Sequence, residues 1–263
     1  MSKRSYTRIV TGEEGKVFKV ILSRPEKHNA FDDITILELI EAFREASTSD
    51  RIRVVLLKAE GKNFCAGADL EWMRRARTFT LEENRQDALR LAEMVQGIFS
   101  MPVPVICRVH GAVFGGGVGL VAACDIVIAS EEATFSLSEV KVGIAPATIY
   151  PILLRKIGES VCRRIMLTGE QFGAVAAKEF GLVHKVVSVD LLDDAVQDVV
   201  SMILQNGPQA IASCKELALR VPSMTLVEAK EFTTEMIARL RLSDEGQEGL
   251  TAFLEKRKPK WTE

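Results

Sequence analysis

Apolar residues along the first half of the chain fall into two patterns that alternate. Short continuous runs, rich in β-branched residues, predict buried strands. These runs are VFKVILSRP, RVVLLKAEG and PVPVICRVHG, with two shorter ones inside DIVIASEEATFSLSE. Between the runs, apolar residues recur at a spacing of three or four and predict amphipathic helices. The helical stretches are DDITILELIEAFREAST, LEENRQDALRLAEMVQGIFSM and a short VGLVAAC. This alternation predicts an α/β core with right-handed crossovers.

Helical spacing dominates from about residue 150 onward, and only LVHKVVS interrupts it as a predicted strand. We therefore expect an α/β core over residues 1–200 and a C-terminal helical region over residues 201–263. No Ser/Gly linker, low-complexity stretch or repeat of fixed period separates the two regions. At the start of the first long helix, Asp32 or Asp33 is expected to be the N-cap.

Composition narrows the classes of function. The 263 residues carry a net charge of −2 without a basic block, so no nucleic-acid partner is expected. The N-terminal residues lack an apolar segment, and no apolar run reaches the roughly 18 residues of a membrane span. A cytoplasmic protein without a membrane partner is therefore expected. The five cysteines and three histidines are isolated from one another, which favours reduced thiols and no metal site.

Two predicted strand-to-helix turns consist of small residues. One is CAGAD, and the other contains Gly115, Gly116 and Gly117. Because glycine in an element costs roughly 0.5–1 kcal/mol relative to alanine, such a run needs a physical reason. A dinucleotide motif fits GAVFGGGVG weakly, and a P-loop would need a lysine that is absent here. Close helix–sheet packing is one remaining reason. The other is a pair of bare N–H groups that converge on a carbonyl oxygen and stabilise an oxyanion.

Several motifs together resemble the crotonase (enoyl-CoA hydratase/isomerase) superfamily over nearly the whole chain. They are FCAGADL, GAVFGGGVGLVAACDIVIASEEATF, LSRPEKHNAF, LTGE, AAKEFGLVHKVV and EGQEGLTAFLEKRKP. The resemblance implies the α/β crotonase (ClpP-like) fold, in which stacked ββα units precede a C-terminal helical layer. It also implies an acyl-CoA thioester substrate, with coenzyme A as part of the substrate and no separate cofactor. A homotrimer or homohexamer is implied as well, with residues 201–263 as its trimerisation region.

The same resemblance implies roles for individual residues. The oxyanion hole would be formed by the N–H groups of Ala68 and Gly116. The residues implied in binding the acyl group and coenzyme A are Ala66, Asp69, Leu70 and Gly115 near the two turns, with Lys27, Ala30, Phe253 and Lys256 for the adenine and phosphates. For Lys27 and Lys256, a solvated surface charge is the competing interpretation.

One departure from the family concerns the acids. Hydratases of this kind carry a glutamate three residues after the middle glycine and a second one twenty residues later. This chain has Gly119 at the first position and Glu139 at the second. Glu139 lies in an apolar LSEV context, so burial should raise its pKa and suit it to acid–base catalysis. Glu71, Thr148 and Tyr150 are the candidate helpers.

A second departure concerns the acyl pocket. Common hydratases have a glycine-rich PGxGGTQ where this chain has the bulkier Ala147, Thr148, Ile149 and Tyr150. The motifs resemble a bacterial subgroup that hydrates methylglutaconyl-CoA or isohexenylglutaconyl-CoA, in leucine and acyclic terpene breakdown. The free carboxylate of such a substrate could meet an arginine of EWMRRARTF, although Arg74, Arg75 and Arg77 could equally be surface charges.

The sequence therefore predicts an enoyl-CoA hydratase that uses Glu139 as its single acid and base. One alternative is a Δ3,Δ2-enoyl-CoA isomerase that uses the same glutamate. The other is a protein that binds acyl-CoA or RNA without chemistry.

Overall fold

The structure is a computed structural model that describes residues 6–262. Residues 1–5, which begin the predicted α/β core, and residue 263, which ends the predicted helical region, lie outside the described residues. The strands are β1 (Ile9–Glu14), β2 (Val17–Leu22), β3 (Val54–Ala59), β4 (Val105–Val109), β5 (Ala112–Phe114), β6 (Ile126–Ser130), β7 (Thr134–Ser136), β8 (Gln171–Gly173) and β9 (Lys185–Val187). The helices are α1 (Asp33–Ser47), α2 (Leu70–Ala76), α3 (Leu81–Phe99), α4 (Gly116–Ala123), α5 (Tyr150–Thr168), α6 (Ala174–Glu179), α7 (Leu192–Leu204), α8 (Pro208–Arg220), α9 (Leu226–Leu242) and α10 (Asp244–Leu254).

Two sheets form the framework. The larger has the order β1-β2-β3-β4-β6-β9, and it is parallel except for the β1–β2 hairpin. The smaller has the order β5-β7-β8, with β5 parallel to β7 and β8 antiparallel to it. Each β-rich stretch is followed by a helix that covers a sheet, which gives the α/β class expected of stacked ββα units.

Side chains of the large sheet pack on both of its faces. In β3, Val55 and Leu57 belong to the main core with α1, α3, α4 and α5, whereas Val54 and Leu56 face a second core with α7. A strand buried on both faces needs apolar residues at successive positions, which is why RVVLLKAEG does not alternate with polar residues.

Three strands do not follow from the sequence pattern. β1, β5 and β8 lie in stretches that the pattern assigns to no element or to a helix. β5 and β8 have only three residues each, too few to show a period of two. They form because partner strands supply their hydrogen bonds. β5 also extends the chain to the glycine turn, and it thereby positions that turn.

The C-terminal part is helical, as predicted. The long pattern from TLVEAKEF onward is divided at Ser243, whose side chain accepts from the Gly246 amide and starts α10. The predicted boundary between residues 200 and 201 falls inside α7. None of the described helices is both long enough and apolar enough to cross a membrane.

Candidate active site

A cavity of about 270 Å³ lies between the two small-residue turns and the helix pair α2–α3. Ala68 and Gly116 lie on its wall, together with Glu139. These three residues belong to three separate segments: the turn before α2, the start of α4 and the segment after β7. The structure thus brings together the three residues that the sequence predicts for catalysis.

Backbone pairing holds the two turns side by side. The Cys65 amide donates to the Ala112 carbonyl at 3.1 Å, and the Phe114 amide donates to the Cys65 carbonyl at 2.9 Å. These bonds join the CAGAD turn to β5 as if it were a further strand. The two turns can therefore present their amides to one ligand atom.

The amides of Ala68 and Gly116 have no acceptor among the described residues. Around Ala68, the bridge to Phe31 uses the Gly67 carbonyl and the Asp69 amide, so the intervening N–H is left over. Gly116 is the first residue of α4, where the helix itself offers no acceptor. Two bare amides at one cavity wall are what an oxyanion hole requires, and the positive end of α4 would add to the attraction for negative charge.

Three of the glycines at these turns are required, two because of their backbone conformation and one because of a steric clash. Gly67 has a φ of +92° and Gly115 a φ of +53°, a region in which side chains are strained. At Gly116 a side chain is excluded by a steric clash, because a Cβ there would lie 2.3 Å from Cζ of Phe31. The close packing and the bare amide, which are alternatives at the level of sequence, therefore coincide at Gly116.

Glu139 is half-buried at the start of a short 3₁₀ turn after β7. Its Oε2 is buried and has no hydrogen-bond partner among the described residues. Burial raises the pKa of this carboxyl above its ordinary value. Its Oε1 would lie only 3.3 Å from a Cβ at Gly115, so the carboxyl borders the glycine turn directly. A partly desolvated carboxyl that has one unpaired oxygen and lies beside two bare amides is suited to moving protons.

The space beside Gly119 is filled by Ile149. A Cβ at Gly119 would lie 2.4 Å from Cγ2 of Ile149, and the backbone there is helical. The position of the missing first glutamate and the bulky segment before α5 therefore compete for one volume. Ile149 occupies the volume that a longer side chain at position 119 would need.

The four residues predicted around the turns differ in what they face. Ala66 is half-buried, and its amide donates to the His28 carbonyl at 3.0 Å. Leu70 is exposed, whereas a Cβ added at Gly115 would meet both the Glu139 carboxyl and Gly67 of the CAGAD turn. Asp69 is buried and has a structural role in this structure, as its contacts show.

Asp69 and Asp32 are linked through the buried Arg24. Asp69 caps α2 by accepting from the amides of Glu71 and Trp72, and Arg24 Nη2 lies 3.1 Å from its Oδ2. Burial alone raises the pKa of Asp69, but these amides and Arg24 lower it below its ordinary value. Arg24 Nη1 also lies 3.1 Å from Oδ2 of Asp32, the N-cap of α1. One guanidinium therefore joins the starts of the two helices.

The residues predicted to hold the adenine and phosphates do not form one cluster. Lys27 is exposed, 3.6 Å from Glu71, and Ala30 is buried near the CAGAD turn. Phe253 is 80% exposed on α10, and the exposed Lys256 follows it. Among the described residues, no hydrogen bond or ion pair links either of these to Lys27 or Ala30. Their role in binding coenzyme A stays a prediction.

The residues predicted to assist Glu139 also do not form one cluster. Thr148 lines the cavity, whereas Tyr150 packs at the edge of the main core. Glu71 is exposed beside Lys27. None of the three arginines of EWMRRARTF lines the cavity, and Arg75 forms an ion pair with Asp33 at 2.6 Å.

Asp87 is a cavity residue that the sequence pattern does not single out. It lies on α3 and accepts a hydrogen bond from Trp72 Nε1 at 3.3 Å. The sequence signal that could have identified Asp87 is its position. It precedes Ala88 on the apolar face of α3, whereas the other acidic residues of this helix are exposed.

Comparison with known proteins identifies the family to which the chain belongs. Residues 12–263 match the family described as Enoyl-CoA hydratase/isomerase. The mevalonyl-coenzyme A hydratase sidH of Aspergillus fumigatus is 36% identical, over 93% of this chain and 91% of that protein. The trans-2-decenoyl-[acyl-carrier-protein] isomerase of Streptococcus mutans is 30% identical, over 98% of both chains. The crystal structure of an enoyl-CoA hydratase from Shewanella pealeana superimposes with a TM-score of 0.92 and 42% identity, over 97% of this chain and 96% of that one.

Proposed function

Because the chain belongs to the enoyl-CoA hydratase/isomerase family, we propose that it adds water reversibly to the double bond of a 2-enoyl-CoA thioester. The observation that carries the proposal is that the Glu139 carboxyl, with its unpaired Oε2, shares one cavity with the bare amides of Ala68 and Gly116. Coenzyme A enters as part of the substrate, so the reaction needs no separate cofactor.

In the proposed reaction, the thioester oxygen accepts hydrogen bonds from the Ala68 and Gly116 amides. The Glu139 carboxylate takes a proton from water, and the oxygen of that water forms its bond to Cβ of the substrate. The electron pair of the double bond moves toward the thioester, where the enolate charge is stabilised by the two donors. Glu139 then returns its proton to Cα on the same side, so atoms and charge balance with a single carboxyl.

Substitution of Glu139 by Gln tests this role. The amide has nearly the same shape and cannot exchange the proton, so we expect kcat for hydration to fall at least about 100-fold, within the range known for general acid–base groups. The measurement is loss of conjugated-thioester absorbance over a panel of 2-enoyl-CoA substrates, with 18O-labelled water to identify the product. Glu71→Gln, at the exposed partner of Lys27, is the matched control and should retain the wild-type rate. Unchanged turnover by Glu139→Gln would exclude Glu139 as the acid and base.

The pH dependence has a defined direction. The base must be ionised to accept a proton from water, and burial raises the pKa of Glu139 from the ordinary 4.5. We therefore expect kcat/KM for hydration to rise with pH through a pKa above 4.5, and to be level beyond it. An acid limb centred at or below 4.5 would contradict a buried catalytic carboxyl.

Isomerisation is the second candidate, and a specific observation favours it. Ile149 fills the space beside Gly119, so the cavity has no room for the first glutamate of two-acid hydratases. A single carboxyl can move a proton between Cα and Cγ without water, and one similar protein is named as an isomerase. Parallel assays of a 3-enoyl-CoA and a 2-enoyl-CoA in 18O-labelled water separate the two. Unlabelled conjugated product from the 3-enoyl-CoA indicates an isomerase, and labelled 3-hydroxyacyl product from the 2-enoyl-CoA indicates a hydratase.

The acyl group is a finer part of the proposal. A branched glutaconyl-type group is supported by the sequence motifs. Among the described residues that line the cavity, however, the ionisable ones are Asp87 and Glu139, with no lysine or arginine. Two carboxylates would repel the free carboxylate of such a substrate. We therefore place 2-enoyl groups without a free carboxylate first, and comparison of thioesters with and without that carboxylate in the same assay decides between them.

A further inference from the structure

One carboxyl of the cavity has no part in the proposed reaction. Asp87 lies on α3, where Asn84, Ala88 and Leu91 share its face and line the same cavity. Trp72 and Met73 of α2 also line this cavity. Asp87 is thus a charged group set in a largely apolar wall.

The orientation of Asp87 is fixed by the indole of Trp72. Trp72 Nε1 donates to Oδ1 of Asp87 at 3.3 Å. The indole is itself held in place, because Trp72 is 8% exposed and its ring lies 6.0 Å from that of Phe31. The other oxygen, Oδ2, receives no hydrogen bond from the described residues and is not among their fully buried unpaired atoms. One acceptor therefore stays free and accessible.

The surroundings of Asp87 leave its charge unmatched. Burial raises the pKa of this carboxyl, the hydrogen bond from Trp72 lowers it, Asp33 raises it, and Arg90 and Arg75 lower it, with an upward net effect. No lysine or arginine of the described residues lies within ion-pair distance. A carboxylate with a free acceptor in an apolar wall is poorly stabilised by the protein alone, and a ligand donor would complete its hydrogen bonds.

We propose that Asp87, oriented by Trp72, selects acyl groups that carry a hydrogen-bond donor beyond the reacting carbons. This inference rests on the proposed function, because it concerns the acyl end of the same thioester. A hydroxyl or ammonium group would donate to Oδ2, whereas a methyl group at that place would leave the carboxylate dehydrated and unpaired. Sites built to bind a polar substituent discriminate strongly against the analogue that lacks it.

The test compares matched 2-enoyl-CoA thioesters that end in hydroxyl, ammonium, methyl or carboxylate, over a series of chain lengths. At one chain length, the wild-type protein should prefer a donor-bearing thioester over the methyl analogue by at least about tenfold in kcat/KM, equal to ~1.4 kcal/mol. The hydroxyl and ammonium arms show which donor is recognised. Absence of any preference for a donor at every length would overturn the proposal.

Substitution of Asp87 by Leu separates recognition from a structural role. We expect the preference for the donor to fall at least about tenfold, since the leucine removes the acceptor and extends the apolar wall. Trp72→Phe keeps a ring but removes the indole N–H, so it should weaken the preference in the same direction. Equal losses for both thioesters would indicate that Asp87 only holds α2 against α3, and would contradict the proposal.

Binding measurements keep this test independent of the chemistry. Saturated acyl-CoA thioesters that end in hydroxyl or methyl cannot react, and their affinities can be measured by calorimetry on wild type, Asp87→Leu and Glu139→Gln. Tighter binding of the hydroxyl thioester that is lost only in Asp87→Leu supports the inference. If Glu139→Gln keeps full turnover while Asp87→Leu loses selectivity, the proposed mechanism fails and the inference stands. If no variant changes the affinity difference, the inference fails alone.

Discussion

At the scale of single residues, Glu139 has opposite effects on activity and on stability. Its buried Oε2 has no partner among the described residues, so the ionised form is held in the folded state at a free-energy cost. The same dehydration keeps the group reactive. A paired and hydrated glutamate would stabilise the fold better, but it would exchange protons with a bound thioester less readily.

This conflict predicts a pH-dependent gain in stability for Glu139→Gln. The folded-state pKa lies above the ordinary 4.5, so between these two values the folded protein binds more protons than the unfolded one. The unfolding free energy of wild type therefore falls as pH rises through that window. The variant lacks this loss, so its advantage should be absent below pH 4.5 and reach about 1 kcal/mol at higher pH. Urea unfolding at several pH values measures it, with Glu71→Gln expected to follow wild type. A pH-independent difference would contradict the assignment.

At the scale of elements, the start of α4 and the segment before α5 are complementary at Gly119 and Ile149. A Cβ at Gly119 would lie 2.4 Å from Cγ2 of Ile149, so Gly119→Glu alone should overpack the core and destabilise it by about 1–3 kcal/mol. Ile149→Gly alone should also destabilise, by leaving a cavity. The double variant places the larger side chain in that space, so it should be more stable than the sum of the two single effects. Denaturant unfolding of all four proteins measures the coupling. Simple additivity would show that these residues do not share one volume.

Which elements could be predicted depends on where their stabilising interactions come from. α1, α3 and an aspartate cap at Asp32 or Asp33 follow from local spacing and local hydrogen bonds; the structure confirms the helices and has Asp32 as the cap. β5 and Asp87 depend on partners distant in sequence. The first needs the backbone of Cys65 and β7, and the second gains its position only when α2 packs against α3. The local periodicity of apolar residues does not indicate such contacts. Motif resemblance locates the glycine turn and marks Ile149 as part of a bulkier segment, but it does not show that Ile149 fills the volume beside Gly119.

At the scale of the whole molecule, the C-terminal helices leave large apolar side chains exposed within one chain. α8 and α9 contain no buried residue among those described, yet large apolar side chains occur along α9 and α10. Leu226 is 91% exposed, Leu242 81% and Leu254 79%. Exposed apolar surface of this extent is typical of a protein–protein interface. The trimer or hexamer expected from the family resemblance would bury it.

We therefore expect purified protein to have the mass of a trimer or hexamer in light scattering at micromolar concentration. Leu242→Glu and Leu254→Glu each place a charge in the apolar surface of α9 and α10, so each should shift the mass toward the monomer while the α/β core, which has its own buried residues, stays folded. Gln197→Glu adds the same charge at an exposed position of α7 and should leave the mass unchanged. Far-UV circular dichroism of each variant checks that the helices remain. A wild-type monomer at all concentrations would contradict the expected assembly, and Leu226, Leu242 and Leu254 would then be exposed in solution.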